Sequence, residues 1–391
     1  MLNTDTIATS KTFCSLPFVH QEKQFNNRHH ICCYNNILQS DNEEDNSFQS
    51  FNSKKMFKIR NDMLAGEKPT ECSICYNQEA QGLVSARQKE TAGWMASKNF
   101  SDAMLQNISK FSNKENIFPV SYDLRYSNTC TLKCRMCNPY SSSSINAENK
   151  KLIQVWPDKF QHVDNPRINH EISLDENIKK IYIAGGEPLI EPYNLIFLKK
   201  LAEINPDIQL LINTSLNHLS AEFEEVLASF SNLLFVVSID GIDKLNSYIR
   251  HGSNWDTIIK NLERVKQHQV MFNTTTSLYN IMDIPDIVHY LKENYSNYCH
   301  CIYLVNNEEE LFIENLPLEL RPQLIDNLEL VLQDAPICTV DGLNNIVNTL
   351  KINNYSPERF AKFVKYTTIL DNIRGESILD IQPKYKNYFT G

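Results

Sequence analysis

The chain has 391 residues, of which 42% are hydrophobic and 22% charged. This composition excludes disordered and fibrous classes, and the length predicts more than one domain because a single core seldom grows beyond about 250–300 residues. Lys plus Arg number 38 against 47 for Asp plus Glu, which disfavours a dedicated binder of nucleic acid or anionic membranes. No run approaches the roughly 18 apolar residues of a membrane span, and the first residues lack a signal-peptide pattern, so we expect a cytoplasmic protein without a membrane segment.

Cysteine is the residue type with the most informative distribution. The chain has 11 cysteines, an odd number that excludes complete pairing in intramolecular disulfides. In a reducing compartment, clustered cysteines indicate metal ligands or catalytic thiols. They form an N-terminal group, a central group and a remainder: Cys14, Cys32, Cys33, Cys72 and Cys75; Cys130, Cys134 and Cys137; and Cys299, Cys301 and Cys338.

From Val120 onward, short apolar runs alternate with longer amphipathic segments. The apolar runs predict strands at Val120–Arg125, Ile178–Ile183, Ile208–Ile212, Leu233–Ile239, Val270–Thr276 and Cys299–Val305. The amphipathic segments predict helices at Asn146–Val155, Asn194–Ile204, Ala221–Phe230, Trp255–Gln267 and Asp286–Glu293. This alternation indicates an α/β fold with parallel strands covered by helices, either a partial barrel or an open sheet. A doubly wound sheet stays open as an alternative, although no GxGxxG follows the first strand.

The segments outside this alternation have separate interpretations. The stretch from Trp156 to Asn177, which contains Pro157 and Pro166, is predicted to be an insertion that could act as a mobile lid. Residues 307–391 begin with acidic residues and continue with helical patterns at Leu318–Leu332 and Leu343–Ile352. We expect this tail to be a helical appendage of the sheet domain.

The loop after the first predicted strand carries Cys130, Cys134 and Cys137. Three thiolates on one short loop can bind three irons of a four-iron cluster and leave the fourth iron open, which is typical of a catalytic metal centre. A zinc site is the alternative, but zinc normally needs a fourth nearby ligand, and no further Cys or His occurs before His162.

The second predicted strand ends in Ala184-Gly185-Gly186-Glu187-Pro188. Two glycines allow a ligand to approach the backbone closely, and proline suits the first turn of a following helix. Taken alone, the motif also fits a tight strand-to-helix turn with a solvated Glu187.

Together, these two motifs resemble the radical S-adenosylmethionine (SAM) superfamily, whose signature is a CxxxCxxC loop followed by a GGEP-like turn. The resemblance implies a partial (β/α)6 barrel and a [4Fe–4S] cluster held by Cys130, Cys134 and Cys137. SAM would chelate the open iron. Gly185, Gly186, Glu187 and Pro188 would form the SAM-binding turn, with Glu187 contacting the amino group of SAM.

Weaker resemblances concern later strands. Ser238-Ile239-Asp240-Gly241 is similar to a ribose-binding segment of the superfamily, and Arg250 stands where an arginine often follows it. A strand-end turn and a solvated charge are the alternative interpretations. Further polar residues at predicted strand ends would line the cofactor site: Asn213, Thr214, Ser215 and Asn280.

The N-terminal cysteines resemble the auxiliary-cluster element of SPASM and twitch domains. Phe18 stands where that pattern has tryptophan, and the expected helix with an arginine would carry Arg60. The resemblance implies a second [4Fe–4S] cluster bound by Cys14, Cys32, Cys72 and Cys75, with Cys33 as the alternative to Cys32. The element precedes the barrel here, whereas it usually follows the barrel. A structural zinc site is the alternative to iron.

The late cysteines have two interpretations, one structural and one catalytic. Cys299 and Cys301 lie two apart on a predicted strand and share one face. Buried free cysteine is usually a small apolar residue, and the same applies to Cys338. In the catalytic interpretation, Cys299 or Cys301 returns a hydrogen atom to a substrate radical.

We therefore expect a radical SAM enzyme with a twitch-like domain at residues 1–95, a partial barrel at 115–306 and a helical segment at 307–391. Its expected substrate is a peptide or protein, and a small molecule is the alternative. A flavodoxin or ferredoxin type of protein would donate electrons. A non-catalytic iron–sulfur or zinc scaffold is the competing class, and a nucleic-acid substrate is disfavoured by the acidic balance.

Overall fold

The structure is a computed structural model that describes residues 6–7, 9–24, 28–34, 38–42, 46–163, 174, 177–296, 298–352 and 354–389. The chain divides into two compact units. Unit 1 comprises residues 1–129, 163–213 and 220–234, and unit 2 comprises residues 130–162, 214–219 and 235–391. The predicted domain limits follow motifs along the chain and stay predictions. Pro166 and most of the predicted insertion lie outside the described residues.

The strands confirm an α/β fold with a mostly parallel sheet. Their order is β2-β1-β3-β4-β5-β6-β7-β8. Strands β1 and β2 pair antiparallel, whereas β1 with β3, β3 with β4, β4 with β5, and β7 with β8 pair in parallel. The bounds are β1 His20–Lys23, β2 His29–His30, β3 Ser121–Leu124, β4 Lys180–Ile183, β5 Gln209–Thr214, β6 Leu233–Ser238, β7 Gln269–Thr276 and β8 Cys299–Leu304.

Helices occupy the connections and both ends of the described chain. Their bounds are α1 Leu16–Val19, α2 Ser47–Phe51, α3 Lys54–Leu64, α4 Ser73–Ala80, α5 Ala86–Met95, α6 Lys98–Ser112, α7 Ser143–Leu152, α8 Pro192–Ile204, α9 Ala221–Leu227, α10 Lys244–Ile249, α11 Trp255–Val265, α12 Ile284–Asn294, α13 Arg321–Leu332, α14 Ile337–Lys351, α15 Pro357–Arg374 and α16 Ile378–Ile381. In the part of the chain that the structure describes, no helix is long and apolar enough to cross a membrane.

The two sheet faces of unit 1 differ in polarity. Strand side chains alternate between faces, so one face carries the buried apolar residues Leu124, Ile181, Ile183, Leu210 and Ile212. On the opposite face, Glu22 of β1 lies beside Asp123 of β3, and Asp123 lies beside Tyr182 of β4. The apolar face supplies core packing, and the opposite face is polar.

In unit 2, helix α14 covers the free edge of β8, the last strand of the order. The backbone N–H of His300 donates to the Cys338 sulfur at 3.3 Å. Gly342 allows close packing there, because a Cβ at this position would lie 2.7 Å from the carbonyl oxygen of Ile302. The helix therefore satisfies and shields an edge that would otherwise expose unpaired backbone groups.

Candidate functional site

The cluster loop, residues 130–137 of unit 2, is fixed by backbone contacts with two other segments. The N–H groups of Lys133 and Arg135 donate to the carbonyls of His251 and Ile249 at 2.9 and 2.8 Å. At the start of helix α7, the hydroxyl of Ser144 donates to the Cys130 carbonyl at 2.7 Å. The loop therefore has a defined conformation that rests on helix α7, on the last residue of helix α10 and on the segment that follows it.

The three thiols of the cluster loop are partly buried and influence one another. Burial raises the pKa of Cys137, and the Cys134 and Cys130 thiolates raise it further. Burial also raises the pKa of Cys134, and the Arg250 guanidinium opposes that shift. Three thiolates held together in this way need a cationic partner to stay ionised, which fits the cysteine set of an iron–sulfur cluster.

Two of the weaker sequence predictions lie beside this loop. Asp240, which follows β6 after Ile239, is buried, and its Oδ2 lies 2.8 Å from the Arg250 Nε in an ion pair. The other carboxylate oxygen accepts the Thr275 N–H at 2.8 Å. The Cys134 and Cys137 thiolates raise the pKa of Arg250, after the larger effects of burial and Asp240. Asp240 thus orients the arginine that acts on the cysteines.

The Gly-Gly-Glu-Pro turn of unit 1 packs on residues 127–129, which lead directly into the cluster loop. A Cβ on Gly186 would lie 2.2 Å from the Thr129 carbonyl oxygen, and Gly185 has a φ of +120°. The Glu187 N–H donates to the same Thr129 carbonyl at 2.8 Å. Both glycines are therefore required by the chain itself, in addition to any ligand.

Glu187 is buried, and its side chain contacts the local backbone. Its Oε1 accepts the Leu189 N–H at 3.2 Å and caps the short 3-10 helix Pro188–Ile190. The solvated glutamate of the alternative interpretation is thus not observed, because the side chain is 2% exposed. Its predicted contact with SAM stays a prediction, as do the roles of Ser238 and of Asn213 near the end of β5.

The four predicted auxiliary ligands of unit 1 line one small cavity. Cys14, Cys32, Cys72 and Cys75 share it with Pro17, Tyr34 and Arg87. Burial raises the pKa of Cys14, and the thiolates of Cys72, Cys32 and Cys75 add to the effect. Cys33 is not among the lining residues and is exposed. The geometry therefore favours Cys32 over Cys33 as the fourth member of this group.

The residues around the cavity explain its shape. Arg60 of helix α3 is buried and donates from Nε to the Pro17 carbonyl at 2.7 Å. Phe18 stacks on Phe13 with ring centroids 5.3 Å apart. Arg87 donates to the Phe13 carbonyl at 2.6 Å and is paired with Glu79. These contacts fix the turn that carries Cys14 at the cavity wall.

Within the described ranges, no three His, Cys, Asp or Glu side chains are close enough to bind one metal ion together. A four-iron cluster differs from a single ion because each thiolate binds a different iron. Both cysteine groups therefore fit a cluster in their donor chemistry.

A buried charge network that sequence analysis missed holds the cluster loop to the C-terminal helices of unit 2. Arg135 is fully buried, and its Nη2 lies 2.6 Å from both Asp371 Oδ1 and Glu376 Oε2. Its guanidinium also lies 3.7 Å from the centre of the Tyr248 ring. Gly375, with a φ of +67°, ends helix α15 and turns the chain toward Glu376.

The late cysteines lie together. The thiols of Cys301 and Cys338 raise the pKa of Cys299, and the Cys301 thiol lies 3.6 Å from the Met271 sulfur. Cys299 and Cys301 share the face of β7 and β8 opposite Phe272, whose ring contacts Tyr295 after helix α12. The structure therefore groups these three thiols without assigning them a reaction.

The cysteine loop, the glycine turn and the parallel sheet fit an iron–sulfur type of α/β enzyme. Residues 124–291, less than half of the chain, match the Radical SAM superfamily, and this match supports the predicted class of radical SAM enzyme. The family implies a [4Fe–4S] cluster and SAM as cofactors.

Curated relatives and solved structures are similar over parts of the chain. GTP 3',8-cyclase of Campylobacter jejuni (strain RM1221) is 28% identical over 136 residues, 35% of this chain and 38% of the relative. GTP 3',8-cyclase of Helicobacter pylori (strain HPAG1) is 24% identical over 199 residues, 49% of this chain and 57% of the relative. The chain thus spans less than two thirds of these relatives' length.

Among solved structures, Streptococcus suis SuiB bound to precursor peptide SuiA has a TM-score of 0.40 at 15% identity, covering 78% of this chain and 68% of that chain. Native anSMEcpe with bound AdoMet has a TM-score of 0.39 at 15% identity, covering 55% of this chain and 60% of that chain.

Proposed function

We propose that the protein cleaves SAM reductively and uses the resulting 5'-deoxyadenosyl radical to abstract hydrogen from a peptide or protein substrate. The observation that carries the proposal is the position of Cys130, Cys134 and Cys137 on one loop beside Arg250, within the residues that match the Radical SAM superfamily. The cofactor supplies the radical, and the protein positions the substrate and excludes competing reactants.

The residues of the chain have separate roles in this proposal. Cys130, Cys134 and Cys137 hold the cluster, and the buried Arg250 favours their ionised state through its charge. Asp240 keeps Arg250 in place. Gly185, Gly186, Glu187 and Pro188 form the turn for SAM. Asn213 and Ser238 are each assigned a contact with the cofactor.

We also propose that Cys14, Cys32, Cys72 and Cys75 bind a second [4Fe–4S] cluster. Four thiolates close its coordination, which suits electron transfer or a structural role. The resemblance of this group to SPASM and twitch elements supports a peptide substrate. The reducing electron would come from a flavodoxin or ferredoxin type of partner.

Two further assignments belong to the proposal. Cys299 or Cys301 would return a hydrogen atom to a substrate radical, which predicts that an alanine variant retains SAM cleavage and loses product. A small-molecule substrate is the second candidate, because the curated relatives carry the name GTP 3',8-cyclase.

The test is formation of 5'-deoxyadenosine by anaerobically reconstituted, dithionite-reduced protein given SAM. We expect product from the wild type and none from Cys134→Ala. The matched control is Cys338→Ala, which removes a thiol outside both predicted cluster sites and should retain activity. A wild-type protein with full iron content that forms no 5'-deoxyadenosine would contradict the proposal and favour the scaffold alternative.

A further inference from the structure

The polar face of unit 1 carries a charge cluster that the proposed cofactor sites do not use. We call Glu22, Asp123 and Arg125 the carboxylate cluster. Glu22 and Asp123 lie side by side on β1 and β3 and are 1% and 2% exposed. Arg125 directly follows β3, and its side chain is partly exposed. Buried charges of this kind are rare unless they are paired or serve a ligand.

The pairing inside the carboxylate cluster is incomplete. The Arg125 Nε lies 3.2 Å from Glu22 Oε1, and its Nη2 lies 2.9 Å from Asp123 Oδ2. The side-chain amide of Gln24 donates to the same Glu22 Oε1. The other oxygen, Glu22 Oε2, is buried and has no hydrogen-bond partner among the described residues. One carboxylate oxygen is therefore left for a donor from outside this set.

The two neighbouring histidines do not neutralise the remaining charge. His30 lies opposite Glu22 on β2, and burial lowers its pKa to about 4. Burial also lowers the pKa of His20 to about 4. Lys180 lies 3.9 Å from Glu90, which balances it. Burial raises the pKa of Glu22 to about 7, so above that pH two carboxylates face one guanidinium and the net charge of the carboxylate cluster is negative.

The carboxylate cluster reaches the surface at Arg125, whose side chain is 22% exposed. Cys33 is exposed as a residue, but burial raises the pKa of its thiol, and the charges of Asp123, Glu22 and Arg125 have smaller effects on it. The same cysteine is excluded from the four-thiol cavity by its position. Cys33 therefore lies beside the carboxylate cluster.

We propose that the carboxylate cluster is a binding subsite for a positively charged nitrogen of the substrate, an ammonium or a guanidinium group. Such a group donates to the free Glu22 oxygen and balances the negative face, whereas an anion would be repelled. The inference rests on the proposed function and narrows its substrate. It favours a peptide with a basic side chain or a free amino terminus over an anionic nucleotide.

The first test is equilibrium dialysis of radiolabelled agmatine against the anaerobic full-length protein at pH 8. We expect binding by the wild type and a weakening of at least about tenfold in Glu22→Gln, which removes the charge and keeps the shape. Asp102→Asn removes an exposed carboxylate of helix α6 and should bind like the wild type. Equal binding by wild type and Glu22→Gln, or no binding, would overturn the proposal.

Competition identifies the chemistry that is recognised. We expect unlabelled agmatine to displace the label, and the neutral 1,5-pentanediol and the anionic glutarate to leave it bound. Displacement by 1,5-pentanediol at the same concentration as agmatine would overturn a charge-selective subsite. Neither measurement requires SAM cleavage, so a failure here is distinct from a failure of the radical chemistry.

A second measurement needs only wild-type protein. Methanethiosulfonate reagents form a mixed disulfide with a thiol and release methanesulfinate, while the thiol proton passes to buffer. We expect the cationic reagent to modify Cys33 at least about threefold faster than the anionic reagent, after division by the same ratio for a free cysteine derivative. Peptide mass spectrometry measures both rates at Cys33. A normalised ratio of one or less would overturn the proposal.

Discussion

Replacement of Arg135 by methionine tests how the cluster loop is held. The wild-type side chain is fully buried between two carboxylates, with Nη2 2.6 Å from Asp371 and 2.6 Å from Glu376. It also donates from Nε to the Tyr248 carbonyl at 3.0 Å. Methionine has a similar length and no charge, so it fills the space while removing every polar contact.

The expected loss follows from the partners that remain. Removal of one partner of a buried ion pair costs about 3–5 kcal/mol because the other charge stays buried. Asp371 keeps the Tyr248 hydroxyl at 2.8 Å and the Ile378 N–H at 2.8 Å, which favours the lower end of that range. The lost contact with the Tyr248 ring adds about 0.5–2 kcal/mol. We expect a destabilisation of about 4 kcal/mol.

The assay is urea unfolding of the cysteine-reduced protein, followed by circular dichroism, with iron content measured after reconstitution. Lys133→Met is the matched control on the same loop. Lys133 is partly exposed and lies 3.2 Å from Glu148, which keeps its contact with Arg374 at 2.7 Å. This variant should lose less than about 1 kcal/mol. An Arg135→Met protein within 1 kcal/mol of wild type and with full iron would refute the reasoning.

Three further predictions concern other parts of the chain. Gly186→Ala should destabilise the protein by about 3 kcal/mol in thermal unfolding, because the new Cβ meets the Thr129 backbone. The control Gly93→Ala in helix α5 has open space and should stabilise the protein by about 0.5–1 kcal/mol. A loss of less than about 1 kcal/mol in Gly186→Ala would contradict this prediction. Burial raises the pKa of Asp283 to about 6 from an ordinary 3.8, so the folded state holds its proton longer than the unfolded state, and stability falls as pH rises from about 4 to 6. Asp283→Asn should remove this pH dependence of stability, which amounts to up to about 3 kcal/mol at pH 7. A variant with the same pH profile of stability as the wild type would contradict this assignment. Cys32→Ala should lower the iron content by about half, because one of two equal clusters is lost. The control Cys33→Ala should retain the full iron content. The reverse result would assign the ligand to Cys33.

Predictions from sequence succeeded for strands whose side chains are apolar. The six predicted strands all occur, with ends shifted by at most two residues, because each combines apolar residues with turn signals at its ends. Strand β1, His20–Lys23, could not be found this way. All four of its residues are polar and buried, so its pairing with β3 comes from tertiary contacts and leaves no hydrophobic pattern.

In the candidate site, too, sequence analysis found the features that have a local pattern and missed those that depend on distant residues. Cys130, Cys134 and Cys137 lie on one short loop, so their spacing indicated a common ligand. The contacts of Arg135 with Asp371 and Glu376 join residues 236 and 241 positions apart, and no local pattern reports such a pair. The predicted reason for Gly185 and Gly186 was a ligand, whereas the structure shows a chain segment in close contact with both.

The most direct test of the central claim is the electron paramagnetic resonance spectrum of the reduced, reconstituted protein before and after addition of SAM. If SAM binds the open iron held by Cys130, Cys134 and Cys137, the cluster signal must shift in the wild type. The same addition should leave the remaining auxiliary signal of Cys134→Ala unchanged. A wild-type spectrum that does not respond to SAM, in a protein with full iron content, would contradict the proposed radical SAM chemistry.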